Sequence, residues 1–588
     1  MTDRIDARVA RAPGNGGAIG ALALPAIVFL LVVYVVPLIM VLVTAFTDPT
    51  PGLQNIEAAL SPTNLQTLLR TIEIAGAATL VAIAIGYPVA YVIAGAPPRL
   101  QAVMLVGVIA PWMTSVLIRT FGWQVLLGRI GPIPTALRWL GFDVQSLLQT
   151  WAGLLFGLVQ IIAPLFILPL VAVMRQIDTS NTRAALTQGA GPAEAFWRVY
   201  LPQTRNGLQV GATLAFVVAL GSFVIPDILG GQDATMTASV VNDLLNRQGE
   251  RGPAAALALL LTVTIFLLIG LLRLVTAPGS RWIRARDGNY TPSPPRFGRL
   301  RWGPIIGLMR ILDWTRLSSQ RWILWGFVAL VQLFLFVPQL VTIPISFSGT
   351  RTMVFPPEGF SLQWYEQFFT PDWLGAAGTT MIVAPVAAVL ATVLGALAAI
   401  GVERSRTRGW RMLGVPLLLS PLIVPVVVVS VGFYITLINV GLYDTVIGLI
   451  LVETTAAIPY AFVISQAAMQ SLDPLYERAA RSMGASMSRV MRKVILPIIA
   501  PSIIVALLFG FLTLFDEVVI PVFASGIDVT VLPKRVYEAI VVLSDPTVAV
   551  VGTLSIIVAA IVLVAALVFV SRSRTASLET ITGGERGR

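Results

Sequence analysis

Two stretches of this chain read RAALTQGAGPAEAFWRVYLP (183–202) and RAARSMGASMSRVMRKVILP (478–497). They stand 295 residues apart and share one plan. Each has an Ala-Ala pair, a glycine four residues after the second alanine (Gly189, Gly484), and a Leu-Pro ending 13 residues after the glycine (Pro202, Pro497). Each is a basic insert between two long apolar runs. An insert that recurs in register makes the chain a tandem repeat, and apolar runs of 18 or more residues make each repeat a set of membrane-crossing segments.

The register extends beyond the insert. At the same offset Pro164 matches Pro459, Asp178 matches Asp473, Pro226 matches Pro521 and Gly231 matches Gly526. Earlier, Gly86 matches Gly395 at an offset of 309, the 14-residue difference falling in the longer loop after Trp123. Both repeats have the same orientation, so the halves are parallel repeats about an axis along the membrane normal.

Composition agrees. Of 588 residues 56% are hydrophobic and only 12% charged, with a mean hydropathy of +0.85. The runs are continuous rather than alternating, which selects helices over barrel strands. The sequence predicts an all-α membrane protein with spans at 18–46, 71–95, 102–127, 149–174, 206–230 and 253–277. A second set falls at 322–346, 374–401, 412–437, 443–470, 499–525 and 547–570. These are two pseudo-symmetric halves of six, 18–277 and 322–571. The first run is too long for a signal-peptide core and reads as an uncleaved span.

The chain has no Cys and no His, which excludes disulfides, thiolate metal sites and histidine proton relays. Its formal charge of +11 does not point to nucleic acid. With these spans the Lys and Arg crowd to one side: the tail at 1–17 with Arg4, Arg8 and Arg11, the inserts, a linker at 278–321, and the tail at 572–588. That asymmetry orients the chain with both termini and both inserts cytoplasmic. The stretch 273–321 holds ten Arg against Asp287 and Asp313. Its Thr-Pro-Ser-Pro-Pro at 291–295 cannot continue a helix, so it reads as a fusion joint.

The insert itself predicts a helix through Ala184-Ala185 or Ala479-Ala480, a turn at Gly189 or Gly484, and a second short helix to the Leu-Pro. The proline is placed in the first turn of the next span. Small alanine faces would let such an elbow seat in a partner's groove.

These residues resemble the permease subunits of binding-protein-dependent ABC importers, whose EAA motif reads Glu-Ala-Ala, three residues, Gly, then nine to ten residues to an Ile-x-Leu-Pro. Ala184, Ala185, Gly189 and Pro202 match it in the first half, and Ala479, Ala480, Gly484 and Pro497 in the second. The motif's Glu is Arg183 and Arg478 here; Glu477 stands one place early in the second copy. The resemblance implies that each elbow is a coupling helix docking on an ATPase subunit, so two ATPase copies and an extracytoplasmic solute-binding protein are the implied partners. ATP and Mg would sit on the ATPase, and the chain itself would bind no cofactor and no metal. It would be a multi-pass component of a bacterial inner membrane. The absence of a G-x-x-x-x-G-K-[ST] loop agrees, since neither lysine, Lys493 or Lys534, follows a glycine.

Further segments are similar to the spermidine/putrescine subgroup. In the first half they are Gly-Tyr-Pro-Val-Ala-Tyr at 86–91, Ser-Val-Leu-Ile-Arg-Thr at 115–120 and Gly-Ser-Phe-Val-Ile-Pro-Asp-Ile-Leu-Gly-Gly at 221–231. In the second half they are Trp364-Tyr365, Ser-Pro-Leu-Ile-Val-Pro at 420–425 and Phe-Asp-Glu-Val-Val at 515–519. The resemblance implies two permeases fused in one chain, with a polyamine as cargo. An opine, aminoethylphosphonate, an amino acid or ferric iron are the alternative solutes. An ion-gradient-driven secondary transporter or a membrane scaffold are the rival classes, and neither gives the paired inserts a purpose.

Ionisable residues at membrane depth are costly and are functional candidates by default. Asp516 and Glu517, in the fifth span of the second half beside the counterpart Gly221-Ser222, read either as a pair that attracts a polyamine or another cation, or as structural acids with Glu517 paired to an Arg or a backbone donor inside the bundle. Asp227 reads either as a substrate contact or as a solvated helix-end acid. Glu453, before Thr454-Thr455, reads as a hydrogen-bonded structural acid or a path residue, and Glu73 as an interface acid. Trp123, with Trp112 and Trp151, reads as a cation–π contact or as part of an interfacial belt.

Overall fold

The computed structural model describes residues 20–276, 321–405, 410–543 and 545–582. The tail at 1–17 and nearly all of the linker at 278–321 lie outside the described residues. Within them the regular structure is helical, apart from one isolated bridge between Ser348 and Phe360. A helix satisfies every backbone N–H and C=O inside its own segment, which is what an apolar run needs in hydrocarbon.

The first half runs α1 (Ala21–Thr47), α2 (Pro62–Gly95), α3 (Pro98–Trp112), α4 (Val116–Leu127), α5 (Trp151–Met174) and α6 (Ser180–Thr187). It continues through α7 (Arg205–Leu220), α8 (Val224–Leu229), α9 (Thr237–Asn246) and α10 (Arg251–Thr276). The second half repeats this order. It has α11 (Arg321–Ile345), α12 (Pro371–Arg404), α13 (Met412–Leu422), α14 (Val426–Asn439) and α15 (Val446–Ser471). After these come α16 (Pro474–Ser482), α17 (Met487–Phe515), α18 (Val519–Ala524), α19 (Leu532–Glu538) and α20 (Thr547–Thr582). The last helix runs through the boundary drawn at 571.

Nine of the described helices are long and apolar enough to cross a membrane, and two bent pairs raise this to eleven. The 16-residue α7 holds the place of the twelfth. Two expectations need correction. The third span of each half is not straight: α3 and α4 meet at 89°, and α13 and α14 at 95°. The fifth spans, read as continuous over 206–230 and 499–525, both break. Gly221, Ser222 and Phe223 separate α7 from α8, and Asp516, Glu517 and Val518 separate α17 from α18. Apolarity continues across these breaks, so hydropathy alone does not reveal them.

The halves interlock by exchanging their first helices. α1 packs on α12 and α14 of the second half, and α11 on α3 and α4 of the first. Glycines permit the closest crossings. A Cβ on Gly122 of α4 would lie 1.9 Å from Pro338 O of α11, and one on Gly432 of α14 would lie 2.5 Å from Pro37 O of α1. No side chain fits at either. Other paired details follow the repeat: Thr150 and Thr445 cap α5 and α15 through the N–H of Gly153 and Gly448, at 3.2 and 3.0 Å. Gln149 and Asp444, directly before these caps, both have φ of 56°.

The prolines ending the inserts sit in the first turn of the segment that follows, Pro202 in Leu201–Gln203 and Pro497 in Leu496–Phe515, as expected, with one addition. Each follows a wide turn (Phe196–Tyr200 and Met491–Ile495) in which Leu201 N–H bonds to Phe196 O and Leu496 N–H to Met491 O. Proline cannot donate to the ladder and its ring crowds the carbonyl of the preceding turn, so a widened turn lets the helix pass through it. In the second half the wide turn joins the short helix from Met487 to the segment that Pro497 opens, Leu496–Phe515, and the two make one continuous α17.

Candidate functional site

Two features combine polar chemistry with the repeat: the elbows after α5 and α15, and a polar cluster where the halves meet.

Each elbow is built from local bonds. Asp178 accepts from Ser180 N–H at 2.9 Å and from the Ser180 hydroxyl at 2.8 Å, opening α6. Asp473 accepts from Leu475 N–H at 2.8 Å, opening α16. Ser180 and its hydroxyl, with the Arg183 charge beyond them, hold the Asp178 carboxyl below the usual carboxylate range. Both helices close in the same way. Gly189 N–H bonds to Leu186 O and Ala190 N–H to Ala185 O, while Gly484 N–H bonds to Arg481 O and Ala485 N–H to Ala480 O. This closure requires a left-handed residue at the turn, and Gly189 and Gly484 have φ of +90° and +83°.

The alanines divide their roles. Ala184 and Ala479 are exposed beside exposed Arg183 and Arg478, whereas Ala185 is half-buried and Ala480 buried. One alanine of each pair thus packs inward, so the outward surface is not a bare alanine face. It includes Leu186 at 43% exposure and Met483 at 82%. Glu477, the near-match to the motif's acid, is ion-paired within the chain to Arg404 at the end of α12. Pro202 and Pro497 stand behind the wide turns that aim the elbows.

The second feature lies where the broken fifth span of one half meets the bent third span of the other. Asp516 accepts from Val116 N–H, the first residue of α4, at 3.0 Å, and Ser115 bonds to the same carboxylate. On the opposite side Gly221 packs on Pro425, where a Cβ would lie 2.8 Å from Pro425 Cβ. The two crossings are the same contact in the repeat, but only one carries a charge. Glu517 accepts from Val519 and Ile520 N–H at 2.9 and 3.2 Å, so it starts α18. Glu517 and Glu453 line one narrow gap with Thr380, Leu514 and Val531. Glu453 is 2% exposed and its Oε2 has no hydrogen-bond partner. The structure therefore brings Asp516, Glu517 and Glu453 into one region.

It does not bring Asp227, Trp123 or Glu73 there. Asp227 is not a solvated helix end: it accepts from Tyr537 Oη of the other half at 2.8 Å. Trp123 is not at an interfacial surface. It is buried between Phe156 and Phe334, both with ring centroids 5.3 Å away, and donates to Gln160 Oε1 at 3.1 Å. Glu73 is exposed on α2, Trp112 packs on Phe509, and Trp151 is exposed at the start of α5. Sequence reading missed Arg119, Ser115 and Tyr537 as site residues. The signal for Arg119 was available, because an arginine inside the apolar run 102–127 is as anomalous as an acid.

The chain matches the family described as "binding-protein-dependent transport system inner membrane component" over residues 82–277 and again over 391–576. The spermidine/putrescine transport system permease protein PotB of Haemophilus influenzae is 31% identical over 221 residues, 37% of this chain and 77% of the relative. PotC of the same organism, also a spermidine/putrescine permease protein, is 31% identical over 233 residues, 40% of this chain and 90% of the relative. Among solved structures, a bacterial alginate ABC transporter in complex with an alginate pentasaccharide-bound periplasmic protein superposes with a TM-score of 0.39 at 18% identity, covering 44% of this chain and 93% of that one.

Proposed function

Because this chain belongs to the binding-protein-dependent transport system inner membrane component family, in two copies, we propose that it is the whole permease of an importer for a small polycation, a polyamine first. It is a permease subunit, not an enzyme. ATP with Mg is bound and hydrolysed by two copies of a separate ATPase subunit, and an extracytoplasmic binding protein delivers the cargo. The halves are the units 18–277 and 322–571, both termini are cytoplasmic, and the elbows are the docking points.

One observation carries the docking reading: two helices in one register, each closed by the same left-handed glycine and presenting the same exposed arginine. Identical backbone geometry at two solvent-facing tips suits two copies of one partner. ATP-driven approach of those copies would move the elbows, and the helices behind them would transmit the motion to the crossings at Val116 and Pro425.

The cargo reading is supported by charge. Asp516, Glu517 and Glu453 gather at membrane depth, and among the described side chains Asp516 and Glu517 keep some accessible surface. Carboxylates kept at that depth are costly unless a cation or hydrogen bonds offset them. PotB and PotC, the relatives above, are named for spermidine and putrescine, which are cations of matching chemistry. Asp227 and Trp123 act as inter-half braces rather than cargo contacts. The test is uptake of labelled spermidine by proteoliposomes holding this chain, its ATPase and its binding protein. ATP-dependent uptake that stops without the ATPase is expected; uptake by the chain alone would overturn the docking reading. ATP-dependent uptake of a neutral or anionic solute in preference to spermidine would overturn the cargo.

A further inference from the structure

One buried charge takes no part in docking or in the acidic cluster. Arg119 stands one turn into α4 and is 2% exposed, while the corresponding turn of α14, 426–429, holds only valines. Its Nε donates to Ser115 O at 3.3 Å, and one terminal nitrogen has no partner. A guanidinium stays charged in a protein interior, so its burial demands an anion. The acid that reaches its turn of α4 is Asp516, from the other half, whose Oδ2 accepts from Val116 N–H three residues before Arg119, close enough for the two charges to act on each other. That carboxylate is already held by Val116 N–H and Ser115 on the same turn of α4. The guanidinium thus shares the first turn of α4 with the groups that hold the carboxylate without closing an ion pair: among the described residues no nitrogen of Arg119 comes within 4.0 Å of an acid oxygen.

We propose that Arg119 is a tethered counter-cation that neutralises Asp516 across the boundary between the halves and that a cationic cargo must displace. The proposal rests on the cation reading of the preceding section. Two cations cannot share one carboxylate cheaply in a medium of low dielectric constant. An ammonium reaching Asp516 thus drives α4 and the broken fifth span apart. Because these belong to different halves, cargo arrival and separation of the halves become one event. The competitor also sets a threshold. A monoamine offers one charge against a covalently tethered guanidinium at high local concentration, whereas a polyamine adds further ammonium groups that Glu517 and Glu453 can hold. Arg119 is on this argument a specificity-determining residue that acts by opposition.

The chain has no cysteine, so an introduced pair reports closure without background. Gly221→Cys with Pro425→Cys spans the uncharged crossing, where the Cβ positions are 2.8 Å apart and small relaxation gives disulfide reach. In proteoliposomes holding the full complex, Arg119→Met should slow that cross-link at least threefold. Arg119→Lys, and the double change Arg119→Met with Asp516→Asn, should restore it. Arg119→Met should also lower the ratio of spermidine to butylamine uptake at least threefold. Cross-linking at the parent rate with an unchanged uptake ratio overturns the proposal. If Arg119→Met does not assemble, the double change decides: assembly of the double alone supports the pair, and failure of both assigns Arg119 to packing and overturns it. A parent complex that carries no spermidine, with cross-linking still dependent on Arg119, would remove the polyamine reading and leave the counter-cation in place.

Discussion

The two elbows share a backbone and differ in what holds it. In the first half Tyr91 of α2 meets Phe196 and Tyr200 behind the turn, with ring centroids 5.5 and 5.3 Å away. Applying the repeat offsets, the same three places in the second half hold Ile400, Met491 and Ile495, which pack with Met469, Leu472, Ala480, Val490 and Ile499 in a separate aliphatic cluster. The second elbow adds the Arg404–Glu477 ion pair, whose side chains are 19% and 15% exposed. Among the described residues the first shows the local pair Arg198–Glu194, with side chains 54% and 24% exposed. Backbone bonding specifies the shape of the tip, while the support beneath it is aromatic in one half and aliphatic in the other. Two tips with one geometry and two foundations should resist force differently, and that difference can be measured.

The largest effect should come from the feature the elbows share. Gly189→Val and Gly484→Val each impose a left-handed β-branched residue, a strain of about 1–3 kcal/mol. A Cβ at either glycine would meet nothing within 4 Å, so the cost is one of backbone conformation alone. Each change should cut ATP-dependent uptake more than tenfold while membrane insertion and ATP hydrolysis persist, as read by uptake and phosphate release in proteoliposomes. Normal uptake in Gly484→Val would break the docking assignment. A large loss in one half only would show that the two docks are not equivalent.

Next comes the ion pair present on one side only. Arg404→Ala should destabilise the second elbow by about 1–2 kcal/mol, between the values of exposed and buried pairs. Limited proteolysis around Met483 should speed up, while cleavage near Leu186 stays at the parent rate. The charge exchange Arg404→Glu with Glu477→Arg should recover part of the protection. Equal sensitivity of both elbows to Arg404→Ala would mean that the foundations are coupled and the comparison is too local.

A smaller effect belongs to the aromatic brace. An edge-to-face pair contributes ~0.5–1.5 kcal/mol beyond its buried area. Tyr91→Ile or Tyr200→Ile alone should lower the thermal midpoint of the purified chain. The triple change Tyr91→Ile, Phe196→Met and Tyr200→Ile writes the second half's residues into the first and should cost less than the sum of the singles. A triple variant as poor as that sum would show that the two foundations are not interchangeable packings of one plan.

How far the sequence carried this reading depends on the kind of interaction. The helices, the two halves and the elbows were legible, because apolar run length and the Ala-Ala, Gly, Leu-Pro spacing are local patterns with local causes. The breaks at 221–223 and 516–518 were not, since Gly221-Ser222 and Asp516-Glu517 interrupt runs that remain apolar on both sides. The roles of single site residues were least legible. Asp227 finds Tyr537 from 310 residues away, and Trp123 finds Phe334 across the boundary between the halves. The first joins α8 to α19 and the second α4 to the exchanged α11, so both exist only once the halves have met, which no window along the chain displays. The pairing of Glu477 inside the chain was hidden for the same reason, because Arg404 ends a helix from two spans earlier.

The smallest test concerns the opening bond of the first elbow. The Asp178 carboxyl is held low chiefly by the N–H of Ser180, then by its hydroxyl, with a slight opposing effect of burial and a favourable charge from Arg183. A carboxyl with a lowered value in the folded state contributes its full stabilisation above the ordinary aspartate value of about 4. That contribution is lost as pH falls through the lowered folded value. Order in α6 should therefore be level from neutral pH down to about 4 and decline below it. Hydrogen exchange at the amides of 183–189 is the measurement. Asp178→Asn cannot lose a proton and should flatten that acid limb, while exchange in α16 over 478–484 keeps the parent profile. An unchanged limb in Asp178→Asn would place the titrating group elsewhere, and with it the claim that each elbow is opened by its own aspartate independently of the other.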